Sequence, residues 1–274
     1  MLLALRRLPR FFLVYYGALA VCLATTAMHI PDGYLSPATS LVMFALVLPF
    51  WALGVRKLRR TMSARSVPLI ALMAAFCFVI MMFNMPLHGT ITGHAVGAAL
   101  AAILLGPETA TIAVSIALII QALFFGDGGV LAIGANAFNM AVVIPYVSYV
   151  IYQAFSRNTP LKSARHLAGA ALGGWIGVTL GAFFAGFEFG LQPLLFKAAD
   201  GSPLYAPYPL SVSIPAMVIL LDGLYFPIGG RILAFGAAER GRTARRRVQL
   251  RLPAQGGAGL PRFRRAALFA FDAG

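Results

Sequence analysis

Long apolar stretches separated by short polar ones make up most of this chain. Behind a first apolar run at 11–24, seven further apolar windows follow at about 38–56, 67–86, 92–105, 108–125, 134–155, 167–190 and 210–236. A helix needs about 20 apolar residues to cross a bilayer, so each window predicts a membrane helix. The window at 92–105 is short, and we expect that helix to be tilted or partly covered by its neighbours.

The first apolar run has the layout of a removable leader. Arg6, Arg7 and Arg10 precede it, and Thr25-Thr26-Ala27 supplies the small residues of a cleavage site. We therefore predict a signal peptide at 1–27, a seven-helix membrane domain at 28–236 and a basic tail at 237–274. Cleavage after Ala27 would make Met28 the amino terminus of the mature protein.

Composition agrees with a membrane protein. Sixty per cent of the residues are hydrophobic, 11% are charged, and the mean hydropathy is +0.83. These values predict an all-α polytopic membrane protein. The two cysteines, Cys22 and Cys77, lie inside apolar runs, which excludes a disulfide framework and a cysteine-based zinc site.

The basic residues give an orientation. The net charge is +14, and ten of the 22 lysines and arginines lie from Arg231 onward. Others cluster at 56–60. The loops at 86–92, 126–133 and 191–209 contain a single basic residue, Lys197. Basic loops stay in the cytoplasm, so we predict the mature amino terminus outside and the carboxyl terminus inside. This distribution favours contact with membrane lipid over binding to nucleic acid.

A polar turn at 28–34 carries the most distinctive chemistry. A free amine on Met28, the amide nitrogen of His29 and its ring nitrogen can close fused chelate rings around one ion. Three such nitrogens in a plane suit Ni(II) or Cu(II), and binding must displace protons. From the residues alone, the better explanation of His29 is an ordinary loop residue at a helix entrance.

Three stretches resemble the CbiM/NikM family, the substrate-capturing membrane subunits of energy-coupling-factor transporters for cobalt and nickel. The first is Met-His-Ile-Pro-Asp-Gly at 28–33. The second is Gly-Thr-Ile-Thr-Gly-His-Ala-Val-Gly at 89–97, with Ile-Leu-Leu-Gly-Pro at 103–107. The third is Phe-Gly-Asp-Gly-Gly-Val-Leu-Ala-Ile-Gly-Ala-Asn at 125–136.

The resemblance implies a role for particular residues. It implies that His94 is the ligand that joins Met28 and His29 around the metal. It also implies that the loop containing Asp127 packs around the amino-terminal turn. Further residues are then expected to orient the ligands or to admit the metal: Asp32, which also suits capping of the turn, and His88, Asn136 and Asn139.

The resemblance also implies partners. The chain has no Gly-x-x-x-x-Gly-Lys-Ser/Thr motif, so we do not expect it to be an enzyme that hydrolyses ATP. Energy would come from ATP-binding cassette ATPases acting through a transmembrane coupling subunit, with a small accessory membrane subunit as a further candidate. The metal is then the transported substrate, for uses such as cobalamin biosynthesis, and no cofactor is expected.

Other function classes stay open at this point. Glu188 and Asp222 are acids in predicted membrane helices, as a proton-coupled secondary carrier would need. An intramembrane metallohydrolase would need a His-Glu-x-x-His helix and an open metal position, and the four histidines do not have that spacing. Nickel and cobalt are not distinguished, because the same nitrogen donors suit both.

Overall fold

A computed structural model describes residues 29–61, 66–83, 85–86, 92–160 and 163–219. The predicted leader, Met28, His88, Asp222 and the basic tail lie outside these residues. The described chain forms helices α1 Pro37–Thr61, α2 Ser66–Met81, α3 Ala98–Leu105, α4 Pro107–Phe125, α5 Ile133–Ser156, α6 Ala164–Leu195 and α7 Leu210–Ile219. Strands β1 Met85–Pro86 and β2 Thr92–Gly93 form one short antiparallel pair.

The helices coincide with the seven apolar windows, which confirms the predicted all-α membrane fold. Four helices, α1, α4, α5 and α6, are long and apolar enough to cross a bilayer. The short third helix was also predicted correctly: α3 has eight residues, and three of its alanines are buried.

Two windows differ from the structure in detail. The second window was drawn to 86, but α2 ends at Met81 because the next residues enter the β1–β2 pair. The third window was drawn from 92, whereas α3 starts at Ala98. Gly97, at its amino-terminal cap, has φ +76, a left-handed conformation that other residues rarely adopt.

Small residues bring α5 and α6 together. A Cβ at Gly173 or Gly177 would collide with Ser148, and one at Gly181 would press on Ile144. The Ser148 hydroxyl donates to the carbonyl of Gly173 at 2.8 Å. These glycines, spaced four residues apart, therefore let the backbones of α5 and α6 approach closely.

Two of the long helices contain wider turns. The last five residues of α4, Gln121–Phe125, are π-helical, and so is the stretch Ala137–Val143 within α5. Such wide turns are rare and often occur near functional sites. The first stretch adjoins the loop 126–132, and the second includes Asn139.

The described charges separate along the helices. Arg59 and Arg60 lie in the last turn of α1, a 25-residue helix about 37 Å long at 1.5 Å per residue. His29 precedes the other end of this helix and contacts the loop between α4 and α5. The cluster 56–60 and the loop of His29 therefore lie at opposite ends of α1.

Candidate metal centre

The loop that starts with His29 is held by the side chain of Asn136. The amide of Ile30 donates to Oδ1 of Asn136 at 2.8 Å, and Nδ2 of Asn136 donates back to the Ile30 carbonyl at 3.1 Å. Ile30 and Asn136 are both buried. One side chain thus satisfies both backbone groups of the residue next to His29, and fixes where that histidine lies.

Asp32 fastens the same loop to the turn between α4 and α5. Its two carboxylate oxygens accept hydrogen bonds from the amides of Val130 and Leu131, each at 2.9 Å. The amide of Gly129 donates to the carbonyl of Ile30 at 2.9 Å. Gly129 is packed so closely on Asp32 that a Cβ would overlap it. Asp32 therefore joins the two loops.

His29 is almost fully buried and bonds to Asp127. Its Nδ1 lies 3.0 Å from Oδ1 of Asp127, and the exposed fractions of the two side chains are 1% and 12%. An ionised carboxylate can only accept, so Nδ1 carries the proton. The other ring nitrogen, Nε2, is buried and has no hydrogen-bond partner within the described residues.

The neighbours of Asp127 keep it ionised. Burial by itself would raise the pKa of this carboxyl, but the hydrogen bond from His29 and the nearby imidazoles of His29 and His94 outweigh it. The pKa is therefore lower than usual, and the group carries a negative charge near pH 7. Gln121, which is fully buried, places Nε2 3.5 Å from Oδ2 of Asp127.

His94 lies directly beside His29. The ring centroids are 4.6 Å apart with the planes inclined by 37°, and His94 is fully buried. Its Nδ1 lies 3.4 Å from the carbonyl of Ala95. The two histidines are distant in sequence, so tertiary folding alone creates this pair.

The predicted site residues divide into four groups. His29, His94 and Asp127 meet at the centre, and Asp32 and Asn136 hold the loop that supplies His29. Asn139 lies one turn further along α5, where its Nδ2 donates to Oε2 of Glu188 at 3.1 Å. Met28 and His88 lie outside the described residues.

Two buried glutamines escaped the sequence analysis. Gln121 contacts Asp127, and Gln192 accepts from the amide of Ser36 at 3.0 Å while donating to the carbonyl of Glu188 at 2.9 Å. Both are fully buried in helices of the membrane domain. A polar side chain inside an apolar window was the available signal, since such groups need partners in lipid.

The described side chains do not by themselves make a metal cage. No group of three His, Cys, Asp or Glu side chains among them is arranged to hold an ion. What the described part offers is two adjacent imidazoles beside one ionised carboxylate. Further ligands for a cation would have to come from backbone groups or from residues not described.

A family profile described as the cobalt uptake substrate-specific transmembrane region matches residues 29–232, which include the whole described site. The chain belongs to the CbiM family. The predicted relationship to CbiM and NikM proteins is therefore confirmed.

Curated relatives carry both nickel and cobalt names. The chain is 54% identical over 192 residues to the fused nickel transport protein NikMN of Rhodobacter capsulatus, covering 70% of this chain and 55% of that protein. It is 46% identical over 191 residues to a putative metal transport protein of Methanocaldococcus jannaschii, covering 69% and 81%. It is 36% identical over 172 residues to the cobalt transport protein CbiM of a Roseiflexus strain, covering 61% and 69%.

Two further comparisons concern how much of its relatives the chain spans and which solved structure shares its fold. The chain spans little more than half the length of the fused nickel transport relatives, 55% and 57% in two cases. A crystal structure of a truncated transition metal transporter is similar with a TM-score of 0.68 and 43% identity, covering 77% of this chain and 99% of that one. The fold of this CbiM-family chain is therefore that of a solved metal transporter.

Proposed function

We propose that this chain is the substrate-capturing membrane subunit of an energy-coupling-factor ABC transporter that imports Ni(II) or Co(II). The metal is held by the amine of Met28 exposed by leader cleavage, by the amide and ring nitrogens of His29, and by His94. The observation that carries the proposal is the buried His29–His94 pair, with ring centroids 4.6 Å apart. Relatives named for nickel transport and for cobalt transport support the choice of metals.

The loop geometry supports a preformed binding site for the metal. Asn136 and Asp32 fix the backbone on the carboxyl side of His29, so the His29 amide and ring have a defined position before metal arrives. Only Nδ1 is near enough to the residue's own amide nitrogen to close a small chelate ring. Capture through Nδ1 therefore replaces its hydrogen bond to Asp127.

Asp127 has a second use in this scheme. A divalent cation entering a buried site needs nearby negative charge, and the lowered pKa of Asp127 keeps that charge in place. Outer groups that contact metal ligands typically change affinity by about 10–100-fold. Before metal binds, Asp127 contacts the ligand residue His29, and Asn136 contacts its neighbour Ile30.

Transport then needs partners. The sequence lacks an ATP-binding motif, so ATPases and a transmembrane coupling subunit supply the energy, and a small accessory membrane subunit is a further proposed partner. We place the captured metal at the outer face of the inner membrane and the basic cluster 56–60 at the cytoplasmic face. A proton-coupled secondary carrier is the second candidate, because Glu188 is a buried acid in α6. Uptake that persists without ATPase partners would favour it.

Metal titration of the purified, processed subunit tests the proposal. His29→Ala removes the ring donor and His94→Ala removes the last nitrogen, so each should weaken Ni(II) and Co(II) binding by more than about a hundredfold, beyond the loss of an outer-shell group. His166→Ala is the matched control, because His166 is bonded to Tyr152 and to the carbonyl of Thr159 away from the site. Unchanged binding by His94→Ala would refute the site.

A further inference from the structure

Gln121 is a fully buried polar residue near the end of α4. It begins the π-helical stretch that runs into the loop of Asp127, and its carbonyl accepts from the amide of Gly126 and, at 3.2 Å, from the amide of Asp127. In an α-helix this carbonyl would accept from residue 125 instead. The wide turn therefore ties the backbone of Asp127 to that of Gln121.

The side chain of Gln121 reaches the same aspartate. Its Nε2 lies 3.5 Å from Oδ2 of Asp127 and 3.8 Å from Sδ of Met82. A carboxylate and a thioether can only accept hydrogen bonds, so both neighbours require the NH₂ group on this side of the amide. Oε1 then lies on the other side, where it is buried and has no hydrogen-bond partner among the described residues.

The two carboxylate oxygens of Asp127 thus have different partners. Oδ1 accepts from Nδ1 of His29 at 3.0 Å, and Oδ2 faces Gln121. In the proposed function the metal takes Nδ1 of His29, and Oδ1 loses this donor. The contact with Gln121 does not involve His29, so it persists through that exchange.

A released carboxylate would be less useful to the cation. Asp127 is 12% exposed, and its side chain can turn towards water once His29 no longer holds it. The attraction between two charges falls as their separation grows and as water comes between them. A donor that remains on Oδ2 opposes this rotation and keeps the negative charge beside the two imidazoles.

We propose that Gln121 is a positioning residue of the metal centre, which holds the carboxylate of Asp127 towards the captured Ni(II) or Co(II) after His29 has turned from Asp127 to the metal. The inference rests on the proposed function. A separation of 3.5 Å is long for a hydrogen bond, and we expect it to shorten when Gln121 becomes the main donor to the carboxylate. Gln121 does not bind the metal in this scheme.

Gln121→Met is the first test. Methionine keeps the length and the helix propensity of glutamine but has no donor for Asp127. Isothermal titration of the processed subunit should show Ni(II) and Co(II) affinity about tenfold weaker, as for groups behind metal ligands. Thr111→Val is the matched control, because it also removes a buried polar group of α4, a hydroxyl bonded to the Pro107 carbonyl at 3.0 Å. Its affinity should stay within about twofold of the parent.

A double-mutant cycle separates positioning from a general structural effect. In an Asp127→Ala background there is no carboxylate for Gln121 to hold, so adding Gln121→Met should change the affinity by less than about twofold. A merely structural effect would recur at full size in that background. Gln121→Asn keeps a buried amide but is one methylene shorter, and it should weaken metal binding as Gln121→Met does. It gives the same test if Gln121→Met does not fold.

The outcomes distinguish this inference from the proposed function. Parent-like affinity in the Gln121 variants, or a full loss repeated in the Asp127→Ala background, would overturn the role of Gln121. The metal centre would still stand if His94→Ala abolishes tight binding. If His94→Ala retains tight binding, the proposed function itself fails, and the role of Gln121 fails with it.

Discussion

Nδ1 of His29 lies 3.0 Å from Oδ1 of Asp127, and this bond joins the first described residue of the chain to the loop between α4 and α5. It fixes the direction of the imidazole and its proton position. It also places an ionised carboxylate next to two buried imidazoles. A loop that is only a turn in sequence thus becomes part of the candidate metal centre.

Asp127→Asn tests the charge at this position. The amide keeps an acceptor for His29 but loses the negative charge that attracts a divalent cation. We expect affinity for Ni(II) and Co(II), measured by isothermal titration, to fall about 10–100-fold. Asp200→Asn is the control, because Asp200 is an exposed acid that bonds only to Ser202 among the described residues. Equal effects of the two changes would contradict a specific role for Asp127.

Asn136→Leu tests the two hydrogen bonds between the Asn136 side chain and the backbone of Ile30. The substitution leaves a buried N–H and a buried carbonyl without their partner, at a cost of about 1–3 kcal/mol for each group. Thermal unfolding in detergent should occur at a lower temperature, and metal affinity should fall because His29 is no longer held in place. Gln153→Leu, on the exposed face of the same helix, should change neither quantity. Full metal affinity in Asn136→Leu would show that metal binding does not need these two hydrogen bonds.

Gly129→Ala tests the contact between the two loops. A Cβ at Gly129 would overlap Asp32, so the loops must separate and the bonds to Val130 and Leu131 should weaken. We expect a lower unfolding temperature together with weaker metal binding. Gly174→Ala provides the comparison, because its Cβ would lie 3.7 Å from Ala99, an ordinary contact. A Gly129→Ala protein as stable as the Gly174→Ala protein would argue against this close packing.

Processing of the leader is expected to be essential. The intact mass of protein purified from membranes should correspond to a chain that starts at Met28. An extra residue inserted between Ala27 and Met28 should impair metal binding as much as His29→Ala, since Met28 then has an amide nitrogen in place of its amine. Tight binding by a chain that still begins at Met1 would exclude the amine as a ligand.

Orientation is testable with single cysteines. Cys77 is buried, so added surface cysteines give the labelling signal. A cysteine replacing Asp200 should react with a membrane-impermeant reagent in intact cells. A cysteine replacing Arg157 should react only after the membrane is permeabilised and the reagent reaches the cytoplasmic face. The opposite pattern would invert the proposed topology.

The sequence determined the membrane fold and its helices. Apolar windows of near-spanning length predicted the positions of all seven described helices, because burial in lipid requires continuous apolar surface and internal backbone bonds. It also pointed to His29 and His94, through motifs whose spacing is independent of packing. Helix ends were less accurate where the chain leaves regular structure, as at Met81 and before Ala98.

Tertiary structure decided which polar side chains meet. No local pattern indicates that Asn136 bonds both backbone groups of Ile30, or that Asn139 contacts Glu188 while Asp127 contacts His29. These pairs join residues far apart in the chain, and they depend on how closely α5 and α6 approach and on the wide turns in α4 and α5. Hydropathy specifies which residues face lipid, but only the packed helices bring a buried donor to its acceptor.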